Sequence, residues 1–343
     1  MVTRARIALA AAVVAALGGA LLAALPTPAM AATCTPTGFI RDGINMTAAQ
    51  IGGDVTGDLD AGSCNIGVYY NSTTDPGNVT DANIFGATYF GVVVNGDVAA
   101  VSVNVTDSFI HDIGETPPNG AQHGNAIYYR ADGGTASGTI SGNRITNYQK
   151  NGITANWSVT TTITNNTVIG QGPVDYIAQN GIQIGYGAKA TVTGNTVSGN
   201  AYTGPNLASS AGILVVGGPC FGLPYTVGLD ITRNTLTGND VGVWLFNADA
   251  PPDCNVRPTT KTNNSVKFNI ISNNAVTNTT GYSATCGYQA GVADVGYKDL
   301  IVNNKISGVG YTPQVGGDCA GTPPAFLRFV DADPSARAVS SNK

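Results

Sequence analysis

The chain has 343 residues, only 11% of them charged, with 16 Lys and Arg against 21 Asp and Glu. It holds 45 Gly, 39 Thr and 32 Asn, and 43% of its residues are hydrophobic. That apolar fraction argues against disorder, and no basic cluster offers a nucleic-acid footprint. Gly, Asn, Thr and Val are modest or poor helix formers, so the composition fits a turn-dense, all-β protein.

Residues 1–31 read as a secretory signal peptide. Arg4 and Arg6 form a positive start, residues 7–25 an apolar stretch, and Ala29, Met30 and Ala31 a small-residue cleavage site. The mature, extracellular chain is expected to begin near Ala32. Loss of Arg4 and Arg6 leaves 14 basic against 21 acidic residues, a net charge of −7. That charge argues against anionic membranes as partners, and no later stretch is long enough to span a bilayer. Six cysteines lie in the mature part, and an even count in an exported chain reads as disulfides. Residues 32–65 read as an N-terminal cap that covers an otherwise open end.

From residue 66 to about 330 two phrases alternate. The first is apolar, two spacers, Asn, one spacer, apolar: TISGNRIT (139–146), TITNNTVI (162–169), TVTGNTVS (191–198), DITRNTLT (230–237), IISNNAVT (270–277) and LIVNNKIS (300–307). It places Asn143, Asn166, Asn195, Asn234, Asn274 and Asn304 in one column, with Asp107 and Ala82 one and two coils earlier. The second phrase sets a small residue before an apolar one and then alternates: FGVVVNG (90–96), NAIYYRA (125–131), NGITANW (151–157), NGIQIGY (180–186), AGILVVG (211–217), VGVWLFN (241–247) and AGVADVG (290–296), opened by IGVYYNS (66–72). Each phrase has the length and period of a β-strand. Asn suits the tight turns between strands, and stacked Asn side chains can form an amide ladder. The column advances by 23 to 40 residues, and 23 is too short for a propeller blade.

The repeat resembles that of the right-handed parallel β-helix superfamily, which contains pectate lyases, polygalacturonases and related polysaccharide lyases. The likeness covers residues 66–330 and extends to exported bacterial right-handed β-helix repeat proteins, a group with no single activity. The fold it implies is a single-stranded right-handed parallel β-helix, followed by a polar tail over 331–343. Coil register then sorts the cysteines into the pairs Cys34–Cys64, Cys220–Cys254 and Cys286–Cys319.

Function in a solenoid is expected on its insertions. The first corner takes 18 residues from Phe109 to Ile127, 8 from Ile145 to Ile153 and 14 from Val168 to Ile182. A short coil between two long loops makes a cleft, with Tyr148, Gln149 and Lys150 expected on its floor. The loop over 111–125 carries both histidines, His111 and His123, with Asp112 and Glu115, and the loop over 170–180 carries Asp175, Tyr176 and Gln179. Strand alternation turns Tyr128, Arg130, Thr154, Asn156 and Gln183 outward. His111, Asp112, Glu115, His123, Arg130, Lys150, Asp175 and Gln179 are therefore expected to converge on one face.

These residue types fit an extracellular polysaccharide as substrate or ligand. In β-elimination of a uronate, a base removes the acidic C5 proton while a cation stabilises the developing enolate. Lys150, Arg130 and His123 are the candidate bases, and a calcium ion on Asp and Glu is a candidate cofactor. The resemblance implies a Lys or Arg base, often with calcium. Hydrolysis is the alternative, with Glu115 paired with Asp112 or Asp175. His111, Asp175, Gln179, Gln183 and Tyr128 are the candidate substrate-binding residues. Trp157, Trp244, Phe246 and Tyr186 are either sugar platforms or covered by loops. Non-catalytic glycan binding and a structural role are the remaining alternatives.

Overall fold

Alternating apolar side chains require a buried face, and successive coils supply it by stacking strand on strand. The computed structural model describes residues 32–206, 208–249, 258–277, 289–311 and 328–330. The expected signal peptide, the expected polar tail and Cys254, Cys286 and Cys319 lie outside these residues. Three parallel sheets run along the axis. The front sheet stacks Ile66–Asn71, Phe90–Asn95, the first half of Asn125–Ser141, the first half of Asn151–Thr164, Asn180–Gly185, Ala211–Gly217, Val241–Asn247 and Ala290–Asp294. Its register aligns Val68, Val92, Ile127, Ile153, Ile182, Ile213, Val243 and Val292 in one fully buried column. The back sheet stacks Ile140, Ile163, Val192, Ile231, Val266 and Ile301, and the side sheet Ile110, Ile145, Val168, Val197, Leu236 and Ile271. Each such side chain stabilises the fold by about 1.5–3 kcal/mol on burial. The front-sheet phrases thus sit in the register expected from sequence.

The turn column needs two corrections. The amide ladder runs Asn143, Asn166, Asn195, Asn234, Asn269 and Asn304, each Nδ2 donating to the next Oδ1 at 2.9–3.0 Å. Asn269, in the strand pair Ser265–Lys267 and Ile270–Ser272, therefore holds the place assigned to Asn274. One coil before Asn143, Ser108 replaces Asp107: its backbone N–H donates to Asn143 Oδ1, and its hydroxyl accepts from Ala82 N. The residue before each ladder position is left-handed: Asp81, Asp107, Gly142, Asn165, Gly194, Arg233, Phe268 and Asn303 all have φ between 49° and 71°. Asp107 thus makes the turn, and Ser108 makes the ladder bond. At Gly194 a Cβ would lie 2.6 Å from Asn165 Oδ1, so glycine leaves room for that side chain in its present position. At the next corner a further amide link, unforeseen, runs from Asn200 Nδ2 to Asn239 Oδ1, and Asn273 Nδ2 donates to the Asn239 backbone carbonyl.

The N-terminal end is closed by a hairpin. Thr35–Arg41 pairs antiparallel with Ile44–Ile51 around an Asp42-Gly43 turn in which both residues have positive φ. Ile44–Ile51 pairs parallel with Ile66–Asn71, so stacking already begins within the cap segment. The Cys34–Cys64 disulfide forms as expected, with Cα atoms 5.4 Å apart. Cys220 is also disulfide-bonded; the expected Cys220–Cys254 and Cys286–Cys319 pairs involve residues outside those described. The hairpin folds back over the outer face of the front sheet. Phe39 and Met46 pack there on Tyr69, Phe90, Val93 and Tyr128 as a small second core. At the other end Arg328–Val330 pairs antiparallel with Ala290–Asp294.

Candidate functional site

The outward column of the front sheet changes character along the axis. Tyr69, Val93 and Tyr128 lie under the hairpin, Thr154 and Gln183 follow, and Leu214 and Trp244 come next. A groove of about 230 Å³ opens at the polar stretch, directly beside the hairpin tip. Its floor is an amide network. Asn151 Nδ2 donates to Thr154 Oγ1 at 3.0 Å and to Gln183 Oε1 at 3.2 Å, and Gln183 Nε2 donates to Asn156 Oδ1 at 3.2 Å. Asn180 Nδ2 donates to Asn151 Oδ1 at 3.0 Å, continuing the network into the next coil.

Three kinds of side chain rim this floor. Lys150 lies at the corner between Arg144–Tyr148 and Asn151–Thr164, where its Nζ donates to the Ala178 carbonyl at 2.7 Å. Burial lowers its pKa from 10.5 to about 8. Arg41 reaches in from the hairpin tip, and its Nε lies 3.3 Å from Asp42 Oδ1. Trp157 and Tyr186 stand at the opposite corner with ring centroids 5.8 Å apart, and both are half-buried. Among the described residues lining the groove there is no carboxylate. The groove thus combines two cations, neutral amides and aromatic rings.

The expected convergence of eight residues does not occur. Of the candidate catalytic and substrate-binding residues, only Lys150, Gln183 and Tyr128 line this groove, beside Trp157 and Tyr186 from the candidate sugar platforms. Tyr128 is buried against Phe90 with ring centroids 5.2 Å apart, and burial raises its pKa. Arg130 is structural: it grips Asp97 through Nη2 at 2.7 Å and Nε at 3.1 Å. Its guanidinium is sandwiched between Phe39 and Trp157, 5.1 and 5.0 Å from their centroids. An ionised, paired and stacked guanidinium cannot serve as a base. His123 is 3% exposed and stacks on Tyr89 at 3.7 Å. Its Nε2 lies 2.8 Å from Glu115 Oε1 and its Nδ1 3.6 Å from Asp42 Oδ2, so it ties the long loop to the hairpin. Glu115 is committed to His123 and Asn119.

His111 faces the side sheet, stacked between Phe85 and Phe109 and bonded to Asp112 at 2.6 Å and Asn83 at 3.0 Å. Burial raises the pKa of Asp112, but hydrogen bonds from Asn147 and His111 outweigh it and hold the carboxyl low. Asp112 and Glu115 line a separate corner hollow of about 300 Å³ with Asn147, Gln149 and Gln171. Asp175 is exposed on its loop. Gln179 is fully buried and donates to the Tyr148 and Gln149 carbonyls at 2.6 and 3.2 Å, so it braces the corner. Tyr148 points into the core, bonded to Asn200, and is not a cleft floor, whereas Gln149 holds the 111–125 loop and lines the corner hollow. Among the described residues no three His, Cys, Asp or Glu side chains form a group able to hold a metal, so the expected calcium finds no carboxylate cluster there. Arg41, Gln122, Asn125 and Asn151 line the groove but are not sequence-derived candidates. The only sequence signal for Arg41 is its place before the Asp-Gly turn.

A family model described as a right-handed beta helix region matches residues 58–220. Together with the parallel stack, this makes the chain a right-handed parallel β-helix repeat protein. No curated protein and no solved structure matches it. The Cys34–Cys64 disulfide is compatible with an extracellular location.

Proposed function

We propose that the protein is secreted and acts on an extracellular uronate-containing polysaccharide, with the front-sheet groove as its site and Lys150 as the base of a β-elimination. The observation that carries this reading is a lysine with a pKa of about 8 in a groove that has a second cation and no lining carboxylate. A general base works best when its pKa lies near the working pH. Arg41 would neutralise the uronate carboxylate, acidifying the C5 proton and stabilising the enolate. The Lys150 amine takes the C5 proton, and the electron pair forms the C4–C5 double bond as the C4–O bond breaks. The departing oxygen then takes a proton from the Lys150 ammonium or from water. Trp157 and Tyr186 offer apolar ring faces to the sugar.

The purified mature chain is incubated with polygalacturonate, alginate, glucuronan and hyaluronan while ultraviolet absorbance follows the unsaturated product. The expected result is product from at least one polymer, abolished by Lys150→Ala while binding persists. Undiminished turnover in Lys150→Ala would remove Lys150 as the base. A second reading, uronate binding without turnover, is favoured by the bond from Lys150 Nζ to the Ala178 carbonyl, which suits an ammonium. Binding to one polymer with no product from any would establish that reading instead.

A further inference from the structure

The hairpin does more than close the solenoid. Its return path crosses the outer face of the front sheet, and Phe39 stacks on Tyr69 at 6.1 Å and meets Phe90 at 6.3 Å. Arg130, held by Asp97, fills the gap between Phe39 and Trp157. Phe39, Arg130 and Trp157 therefore form a continuous wall. On one side lies the groove with Lys150 and Arg41. On the other lies a separate hollow of about 490 Å³, lined by Phe39, Arg130, Tyr69 and Asp97. The wall is anchored at both ends, by the Cys34–Cys64 disulfide and by the approach of Asp42 to His123. A chain laid along the axis cannot pass it toward the N-terminal coils.

Away from the wall the path stays furnished. Trp157 meets Tyr186 at 5.8 Å, Tyr186 meets Phe221 at 6.3 Å and Phe221 meets Phe246 at 5.4 Å, all four half-buried. This staircase climbs the front-sheet edge as the coils rise by about 4.8 Å each. An extended pyranose chain along the axis presents successive ring faces at a similar pitch.

We propose that the groove is a chain-end site. One terminal uronate is seated against the hairpin with its carboxylate toward Arg41, and the rest of the chain runs along the aromatic staircase toward the C-terminal coils. The inference rests on the uronate reading above and adds to it that cleavage proceeds from a chain end. Oligomers of uniform length from polygalacturonate and alginate are prepared with free ends, with a bulky amine coupled to the reducing end, or with the non-reducing end acylated. Binding to the full mature chain is read from Trp fluorescence, and products are sized from the first moments of reaction. Blocking one particular end, and not the other, weakens binding by about tenfold or more, and the first product is of a single short length. The variant Phe39→Ala, which breaches the wall and spares Arg41, brings the blocked and free ligands to equal affinity. Equal binding of all three forms by the native chain, or a ladder of products from the outset, overturns the chain-end site and leaves the uronate reading standing. Failure of both oligomers, and of glucuronan and hyaluronan oligomers, to bind in any form overturns the uronate reading and the chain-end site with it.

Discussion

Asn195 sits in the middle of the amide ladder and is fully buried. Its Oδ1 accepts the backbone N–H of Asn166 at 3.0 Å and the side-chain Nδ2 of Asn166 at 2.9 Å. Its own Nδ2 donates to the Ile163 carbonyl at 2.9 Å and to Asn234 Oδ1 at 3.0 Å. Asn195→Ala leaves two buried donors of Asn166 without an acceptor and removes a donor from Ile163. Asn234 Oδ1 keeps the Asn195 backbone N–H at 2.9 Å, so that acceptor is not stranded. At about 1–3 kcal/mol for each stranded donor, the loss is about 2–6 kcal/mol, a large share of a typical folding free energy. Asn195→Asp keeps the acceptor but aims a carboxylate at two carbonyl oxygens, so it is equally damaging at neutral pH and milder in acid. The control is Asn165→Gly, exposed and left-handed at φ 55°, which is expected to stay within about 0.5 kcal/mol of the native chain. Urea unfolding gives the stability differences, and amide hydrogen exchange reads the Asn166 N–H directly. A cost below about 1 kcal/mol for Asn195→Ala, with Asn166 still protected, would refute the ladder as a source of stability.

Four further outcomes follow from the same geometry. Asp299 is held up to about pKa 8 by burial and by the nearby Asp294 charge, so the folded chain keeps a proton that the unfolded chain has released. Stability should therefore fall as pH climbs from 3.8 to about 8 and level off above, and Asp299→Asn should flatten that profile in thermal melts. If Lys150 is the base, turnover should rise with pH through a limb near 8, and Lys150→Arg should be inactive at every pH because a guanidinium stays ionised. Arg130→Lys should destabilise the chain by about 1–3 kcal/mol in urea, since an ammonium loses the two-pronged Asp97 pairing and the fit between two rings; native-like stability would refute the sandwich. Replacing Cys34 and Cys64 by Ser frees a 30-residue separation, worth about 3–4 kcal/mol by loop-closure entropy, and should expose the hairpin to protease before the coils.

The fold was legible because its signal repeats. A small residue followed by alternating apolar ones recurs in every coil, so each front strand could be placed in register. The Asn column slipped by one coil where two phrases look alike: IISNNAV at 270–276 mimics LIVNNKI at 300–306. The true member, Asn269, follows Phe268, an aromatic residue in the left-handed turn position, which carries no turn signature in sequence. The site was less legible because loop residues obey no period. His111 falls on the strand Phe109–Ile113 of the side sheet, so closeness in sequence to His123 did not place the two on one face. Arg130 is outward-facing as alternation requires, but its neutralising partner Asp97 lies 33 residues away in the preceding coil. Arg41 belongs to a segment whose sequence pattern indicates only a capping hairpin, and its position over the groove depends on contacts made by Phe39.

The cap and the chemistry are therefore one problem. Lys150 would be an ordinary solvated lysine on a bare solenoid corner, since every coil has such a corner and Lys189 and Lys267 lie exposed or half-exposed on the back sheet. What differs at Lys150 is desolvation, and its neighbours explain it: the 111–125 loop is pinned by Gln149 and by His123, and the 170–180 loop brings the Ala178 carbonyl over Nζ. His123 joins that loop to the hairpin through Asp42, so the group that buries the lysine also carries Arg41 to the groove. The amide floor beneath is bonded within itself, so the groove can stay open to a ligand without stranding those polar atoms. The charged residues of the 111–125 loop thus act on the groove through position: they hold the walls that give a single lysine its unusual environment.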